Sequence, residues 1–302
     1  MKYAIEIKNL TKNYGSFKAV DSLNIHVPEG KIYGFLGRNG AGKTTTIRMI
    51  MGLIRPDKGE IMVYGKDVCQ NRLWAARNMG AIVETPGFYE NLPARANLDI
   101  TAEMYGINKI RIEEVLEIVG LSNVGNKKMR DFSLGMKQRL GIANALVHSP
   151  KILILDEPTN GLDPAGIKEM RDFLRKLSEE AGITVMISSH ILSEIQLLAD
   201  HVGIIDKGKL IEETDIDSVN TAEQSCMLLE VDNQKAAEEI LNRMKIRYDS
   251  EESRIRVFCS KEINHLINKT LVESEIKVYN LSSVSQSLEE RFLSVTGGQS
   301  IA

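Results

Sequence analysis

The chain has 302 residues, of which 43% are hydrophobic, and its 38 basic and 41 acidic side chains leave a net charge of −3. This ordinary composition excludes a disordered or fibrous chain, and the balanced charge gives no indication of nucleic acid. No stretch approaches 18 uninterrupted apolar residues, so we expect no membrane-spanning helix. Cys69, Cys226 and Cys259 are too widely spaced for a disulfide framework or a metal motif, which favours a reducing cytosol.

The first part of the sequence is predicted to contain strands before and after one helix. Residues 3–9 and 17–27 are predicted strands, with Gly15-Ser16 as the turn between them. Two more short strands are predicted at 31–36 and 60–64. Between them a helix follows a glycine-rich turn, from about Lys43 to Met51, and Gly52 ends it.

Residues 85–149 are predicted to be mostly helical. The apolar periodicity, together with proline and glycine at the boundaries, indicates three helices. They are 93–105, ended by Gly106, then 110–119, ended by Gly120, and a third that begins after Ser133 and runs to about His148.

A buried sheet and a small second unit are predicted further along the chain. The apolar run 151–156 ends in a carboxylate, which is the pattern of a central parallel strand buried on both faces. Another buried strand is predicted at 183–188, with helices at 165–180 and up to Ala199, and Lys207-Gly208 indicates a hairpin. Beyond the polar segment 214–224, the predicted order β-α-β-β-α-β suggests a split-βαβ unit. Its elements are strands 226–231, 246–249, 254–259 and 275–280, and helices 234–244, 261–272 and 286–295.

The most specific motif runs from Gly37 to Thr44 and fits the phosphate-binding pattern G-x-x-x-x-G-K-[ST], between a predicted strand and a predicted helix as that pattern requires. Its glycines let backbone N–H groups converge on phosphate oxygens, and the helix N-terminus adds positive potential. Lys43 is predicted to reach the β- and γ-phosphates, and the Thr44 hydroxyl to bind Mg²⁺. The predicted nucleotide-binding positions here are Gly37, Arg38, Asn39, Gly40, Ala41, Gly42, Lys43, Thr44 and Thr45.

Two further segments contain residues that could take part in ATP binding or hydrolysis. The apolar strand ending at Asp156 supplies a carboxylate for Mg²⁺, as P-loop ATPases need. The next residue, Glu157, is placed to orient or deprotonate an attacking water. Ser133 favours a helix N-cap and Gly135 keeps the first turn open, so this helix end is a second candidate anion site.

The sequence resembles the nucleotide-binding subunits of ATP-binding-cassette (ABC) transporters, six of whose motifs occur in order over residues 1–215. Phe132-Ser133-Leu134-Gly135-Met136 resembles the signature Leu-Ser-Gly-Gly-Gln; the phosphate-contacting Ser133 and Gly135 are kept, and the other three positions depart from it. The remaining resemblances are the D-loop at 160–164 with Asp163, the switch histidine His190 after Ser188-Ser189, and the loop 10–15, whose aromatic Tyr14 stacks on adenine.

Glu84 departs from the family pattern in an informative way. It stands where the family usually has a glutamine, after the strand that leads into the helical insertion. A carboxylate accepts hydrogen bonds but cannot donate them, and it can bind Mg²⁺. The resemblance therefore implies a catalytic and metal-binding position at Glu84. Glu84 and the segment 132–140 both resemble the bacitracin-resistance and lantibiotic-immunity subgroup. The alternative for Glu84 is a tolerated replacement of glutamine that says nothing about the substrate.

The resemblance also implies a fold and a mechanism. The fold is α/β, a P-loop ATPase core with an antiparallel β subdomain and an α-helical insertion, plus a small α+β C-terminal domain. The expected domains are 1–215, with the insertion at about 85–149, and 225–302. Two copies would sandwich two ATP molecules head to tail with Mg²⁺. Water oriented by Glu157 would attack the γ-phosphate, His190 would contact that phosphate, and Asp163 would communicate across the dimer.

The implied partner is a separate membrane permease, which places the chain at the cytoplasmic face of the membrane without nucleic acid. The expected cargo is an antimicrobial peptide or drug for export. The ending Ser287 to Gly297 resembles the tail of many exporter cassettes and indicates an accessory role for the C-terminal region. Two alternatives stay open: export of another cargo, such as sodium or a lipid-linked sugar, and a soluble ABC ATPase that acts on ribosomes or DNA. The sequence has one P-loop and no sustained heptad repeat, which argues against the ATPase that acts on ribosomes or DNA.

Overall fold

The computed structural model describes residues 2–216, 225–251, 254–259 and 261–285. The chain divides into two compact units, Met1–Glu213 and Thr214–Ala302. In the part of the chain that is described, no helix is long and apolar enough to cross a membrane.

A six-stranded sheet forms the centre of the first unit. Its strands are β3 (Ile32–Leu36), β6 (Met79–Ile82), β7 (Ile152–Asp156), β8 (Thr184–Ser189), β9 (His201–Asp206) and β10 (Lys209–Asp215). They follow the order β10-β9-β3-β8-β7-β6, and the pairs β9-β3, β3-β8, β8-β7 and β7-β6 are parallel. Every residue of β7 is buried, which confirms the prediction of a central parallel strand.

A four-stranded antiparallel sheet lies in the same unit. It consists of β1 (Tyr3–Tyr14), β2 (Phe17–Pro28), β4 (Lys58–Val63) and β5 (Lys66–Asp67), in the order β2-β1-β4-β5. The sequence predicts β1 only to residue 9, but the strand continues to Tyr14. Register shifts between Ile7 and Leu10 and between Leu10 and Lys12 interrupt the period-2 alternation, and this irregularity hides the second half of the strand.

Seven α-helices lie in the described part of this unit. They are α1 (Lys43–Ile50), α2 (Arg72–Asn78), α3 (Ala94–Tyr105), α4 (Ile110–Ile118), α5 (Leu134–Leu146), α6 (Pro164–Glu179) and α7 (Leu192–Leu198). All but α2 match predicted helices within about two residues. Gly106 ends α3 in the left-handed conformation with φ 67°, as predicted. The end of α5 falls before His148 because Ser149 is left-handed, with φ 55°, and Pro150 follows it.

One buried cluster joins both sheets to α1. Ile5 and Ile25 of the antiparallel sheet, Phe35 and Ile154 of the parallel sheet, and Ile47 of α1 all belong to it and are fully buried. Close packing of this kind leaves the helix little freedom to shift. The core therefore holds the start of α1 at the carboxyl ends of β3 and β7.

The second unit has the order β-α-β-β-α-β that the sequence predicts. Its elements are β11 (Ser225–Val231), α8 (Gln234–Arg243), β12 (Arg247–Glu251), β13 (Arg254–Phe258), α9 (Asn264–Glu273) and β14 (Val278–Ser285). The antiparallel sheet has the order β12-β13-β11-β14 and its own core around Leu229, Ile240 and Ile267. The last strand begins after the predicted position because Glu275 is left-handed and Ile276 N–H bonds back to Leu271 O. The predicted helix 286–295 lies outside the described residues.

Candidate active site

The loop between β3 and α1 is shaped by glycines that no other residue could replace. A Cβ on Gly37 would lie 2.5 Å from Ile205 O, and one on Gly42, where φ is 108°, would lie 2.6 Å from Ala19 O. Only glycine tolerates both the conformation and the close backbone approach. The loop therefore leads its backbone directly into the N-terminus of α1, where the free N–H groups of a helix favour an anion.

Lys43, the first residue of α1, points back across this loop. Its side chain is 5% exposed, and Nζ donates hydrogen bonds to Gly37 O at 2.6 Å and Arg38 O at 3.3 Å. Nζ also lies 3.1 Å from Glu157 Oε1, which is close enough for an ion pair. The contact is not a hydrogen bond, and Glu157 Oε1 accepts none from any other group in the described part of the chain. Buried ammonium groups need such partners. A bound phosphate would offer stronger partners than the two carbonyl oxygens, because its oxygens are charged.

Oxygen ligands for a divalent cation converge beside Lys43. The Thr44 hydroxyl donates to Asp156 Oδ2 at 2.8 Å, and the Ser188 hydroxyl donates to Asp156 Oδ1 at 2.5 Å. Asp156 is 4% exposed at the end of β7. Hydroxyl and carboxylate oxygens are the ligands that Mg²⁺ prefers, and two of the three predicted metal ligands, Thr44 and Asp156, are in contact here.

Glu157 and His190 form the other side of the cluster. Glu157 has a left-handed backbone with φ 51°, and its N–H group lies 3.0 Å from Ser188 Oγ. Its Oε2 lies 2.8 Å from His190 Nδ1. Because a carboxylate only accepts, Nδ1 carries the hydrogen in this pair. A non-glycine residue held at positive φ is strained, and such strain is concentrated at functional sites.

An open cavity of about 300 Å³ contains most of the predicted nucleotide-binding positions. It is lined by Tyr14, Phe17, Ala19, Arg38, Asn39, Gly40, Gly42, Lys43, Thr44, Thr45 and Glu157. Gly37 and Ala41 do not line it; Ala41 is 4% exposed and both residues shape the loop from within. Phe17 was not predicted. It pairs with Tyr14 across the Gly15-Ser16 turn, and this cross-strand relation is the sequence signal that could have identified it.

The other half of the predicted site lies in a second cavity, of about 670 Å³, which contains Ser133, Gly135 and Asp163. Ser133 Oγ accepts from Met136 N–H at 3.3 Å and caps α5. Asp163 Oδ1 accepts from Gly166 N–H at 3.0 Å and caps α6. No residue lines both cavities, so within one chain these three residues do not join the phosphate loop.

Glu84 is also apart from the cluster. It follows β6 with φ 63°, and its carboxylate forms an ion pair with Arg48 in the last turn of α1. Neither cavity is lined by Glu84. Its assignment as a metal ligand and catalytic group stays a prediction.

Comparisons with known proteins show the family to which the chain belongs. Residues 20–160 match the model of the ABC transporter family. The chain is 50% identical to the bacitracin transport ATP-binding protein BcrA of Bacillus licheniformis over 100% of both chains. It is 44% identical to the lantibiotic transport ATP-binding protein SrtF of Streptococcus pyogenes, over 73% of this chain and 94% of that relative. The structure of cbiO1 from Clostridium perfringens, part of an ABC transporter complex, has a TM-score of 0.68 at 25% identity, over 81% of this chain and 97% of that one. The likeness to relatives over whole chains shows that this protein belongs to the ATP-binding subunits of ABC transporters, a family of ATPases.

Proposed function

We propose that this chain hydrolyses ATP to drive a separate membrane permease that exports an antimicrobial peptide or drug. The ATPase part of the proposal depends on one chain of contacts. Thr44 contacts Asp156, Asp156 contacts Ser188, and Ser188 contacts Glu157. Glu157 in turn contacts Lys43 and His190. The support for the cargo is the similarity to relatives named for bacitracin and lantibiotic transport.

Phosphate binding would exchange the present partners of Lys43. Its ammonium would turn from Gly37 O and Glu157 toward the β- and γ-phosphates, while the N-terminus of α1 receives phosphate oxygens. Thr44 and Asp156 would hold Mg²⁺, with Glu84 as a further proposed ligand; when bound, the ion neutralises charge that develops on the phosphate oxygens.

The loss of the Lys43 contact would also make Glu157 available to water. Once the ammonium leaves, Glu157 Oε1 is free to accept a hydrogen bond from water, while His190 still holds Oε2 in place. A carboxylate fixed in this way orients the water for attack on the γ-phosphate. Because His190 donates from Nδ1 to Glu157, its contact with a phosphate oxygen would require a hydrogen on Nε2 as well, as in the protonated imidazolium.

We propose that two copies complete the site. The cavity with Ser133, Gly135 and Asp163 is open and distinct from the cavity of the phosphate loop. A head-to-tail pair would place Ser133 and Gly135 of one copy against the γ-phosphate bound by the other. ATP would then hold the two copies together, because neither cavity alone surrounds it.

A groove in the first unit supports contact with a permease at the cytoplasmic face of the membrane. It has a volume of about 410 Å³ and a largely apolar lining that includes Met51, Val83 and Met104. The loop after Glu84 presents Tyr89, which is 65% exposed. Such apolar surface is typical of a site that a partner segment covers.

The ATPase proposal is tested by phosphate release from the purified protein. Lys43→Ala should reduce release to background, whereas Lys168→Ala, at an exposed position on α6, should leave it unchanged. Equal rates for both variants would contradict the assignment.

The cargo is tested with a susceptibility panel on a strain that lacks this gene. The strain should become more sensitive to bacitracin and lantibiotics but not to unrelated drugs. The wild-type gene should restore growth, and the gene with Lys43→Ala should not. An unchanged panel would contradict the antimicrobial cargo. Co-sedimentation of the protein with ribosomes would instead favour a non-transport ATPase.

A further inference from the structure

The two edge strands of the second unit differ in charge. β12 and β14 are the outer strands of the sheet order β12-β13-β11-β14. Three of the five residues of β12 are charged, namely Arg247, Asp249 and Glu251. The eight residues of β14, Val278–Ser285, include no charged residue and no proline. Charged side chains and proline are common means by which an edge strand avoids pairing with another chain, and β14 has neither.

β14 also has a regular backbone along most of its length. It pairs with β11, and the register is continuous from Asn280 to Ser285, opposite Glu230 to Ser225. The register shift of this pair lies before that stretch, between Glu230 and Val231. Among the described residues, β11 is the only strand that pairs with β14. An extended stretch of this length spans about 20 Å and directs the backbone N–H and C=O groups of every second residue away from β11, where another strand could bind them.

Exposed apolar side chains collect on the same side of the second unit. In its described part, the large hydrophobic side chains left exposed are Ile263, Leu266, Val272 and Tyr279. Three of them precede or lie on α9, the fourth belongs to β14, and α9 packs against β14. An open cavity of about 610 Å³ lies along this side, and its lining includes Val272, Tyr279 and Leu281. Apolar surface beside an uncharged edge strand is typical of a protein interface.

We propose that β14 is an interaction surface for a second copy of this chain, in which the two β14 strands pair antiparallel and join their sheets into one. The charge of the strand favours this occupant, because two uncharged strands meet without repulsion. A partner strand rich in charge would instead lose hydration against the apolar side chains beside β14.

The symmetry of the contact favours a second copy as well. Antiparallel pairing of two identical strands has a two-fold axis, so the same residues supply both sides of the contact. Because this axis is perpendicular to the joined sheet, the helices of both copies lie on the same face. The two α9 helices, each beside its own β14, then become neighbours, and the exposed Val272 of each copy comes to the contact.

This contact is separate from the contact proposed for ATP. It uses residues of the second unit alone, whereas the ATP-dependent contact uses Ser133, Gly135 and Asp163 of the first, so it needs no nucleotide. One edge strand with its flanking helix makes a small interface, and we expect a transient dimer with a Kd on the order of 100 µM. Such a dimer would keep two ATP-binding units close together between rounds of ATP binding.

Sedimentation of the full chain in EDTA without nucleotide tests the inference. Between about 5 µM and about 500 µM protein, the average mass of wild type should rise from that of one chain toward that of two. Ser282→Lys places a charge within the pairing stretch and should raise the Kd of the dimer by at least about fivefold. Glu239→Lys introduces the same side chain at an exposed position of α8, which packs against the opposite edge strand, β12. It is the matched control and should dimerise like wild type.

A second variant does not depend on a change within the sheet. Val272→Lys alters a position of α9 that is 58% exposed, so the fold should tolerate it, and it should also weaken the dimer. Circular dichroism checks that each variant is folded. A wild type that stays monomeric at about 500 µM would show that β14 is covered by another partner or segment, and would overturn the proposal. A dimer that neither Ser282→Lys nor Val272→Lys weakens would show that the copies meet elsewhere.

Discussion

At the scale of single residues, the carboxylate of Glu157 connects the phosphate loop to the end of β8. One oxygen lies 3.1 Å from Lys43 Nζ and the other lies 2.8 Å from His190 Nδ1. These contacts compensate a largely buried carboxylate while no phosphate is present. Under the proposed mechanism, a phosphate that draws Lys43 away would expose one oxygen of Glu157 and leave the other held by His190.

Glu157→Gln should separate binding from hydrolysis. The amide keeps the shape of the side chain but cannot take up a proton from water, so phosphate release should fall by at least about 100-fold. ATP affinity should change by less than about threefold, since the phosphate-binding groups remain. Glu117→Gln, at an exposed position on α4, is the control and should retain full turnover. Hydrolysis at the normal rate by Glu157→Gln, measured by phosphate release, would rule out this role.

The pairing of Glu84 with Arg48 makes a prediction about Mg²⁺. Arg48→Ala would free the carboxylate and should lower the Mg²⁺ concentration for half-maximal hydrolysis, whereas Glu84→Gln should raise it. Each change should be no more than about fivefold, because an exposed ion pair is worth at most about 1 kcal/mol. A Mg²⁺ titration of phosphate release measures both. Identical Mg²⁺ dependence in wild type and the two variants would show that Glu84 does not act on the metal.

At the scale of elements, a partly buried hydrogen-bond network connects β2, β3 and β10. Glu213 Oε1 accepts from Tyr33 Oη at 2.7 Å and from His26 N–H at 2.8 Å. Tyr33 is fully buried, and both its burial and the neighbouring Glu213 carboxylate raise the pKa of its phenol well above the usual value. The phenol therefore stays a donor at all ordinary pH values, and it needs the space above Gly203.

Gly203→Ala should destabilise the protein by about 1–3 kcal/mol, the typical cost of overpacking a core. A Cβ at this position would lie 2.1 Å from Tyr33 Oη, so the phenol would have to leave Glu213. Urea unfolding followed by circular dichroism measures the change. Gly87→Ala is the control, because a Cβ there meets no atom within 4 Å, and it should be close to neutral. Equal midpoints for the two variants would contradict the role of this network.

The same scale explains what the sequence could and could not predict. The phosphate loop was predictable because its residues are contiguous and its glycines are required by the local backbone conformation. Thr44 contacts Asp156 because the helix that follows β3 begins at the same edge of the sheet where β7 ends. Phe17 was missed because its relevance arises from a cross-strand pair. The position of Glu84 depends on Arg48, 36 residues away in the chain, and no local pattern encodes such a pair.

At the scale of the whole molecule, the candidate site is split. The phosphate loop lines one cavity, and Ser133, Gly135 and Asp163 line another. The two helix caps and the hydrogen bonds of Lys43 are all made within one chain. Under the proposed mechanism, one copy alone would be incomplete for catalysis. Closure of two copies around ATP would supply both halves to each nucleotide.

The most direct test of this account is the mass of Glu157→Gln in solution, measured by sedimentation with ATP and Mg²⁺ and again with ADP and Mg²⁺. The account predicts that ATP increases the population with twice the mass of one chain, that ADP does not, and that adding Gly135→Asp, which places a negative charge at the shared face, abolishes the increase. A variant that binds ATP fully but keeps the same mass with ATP as with ADP would contradict a site shared between two copies.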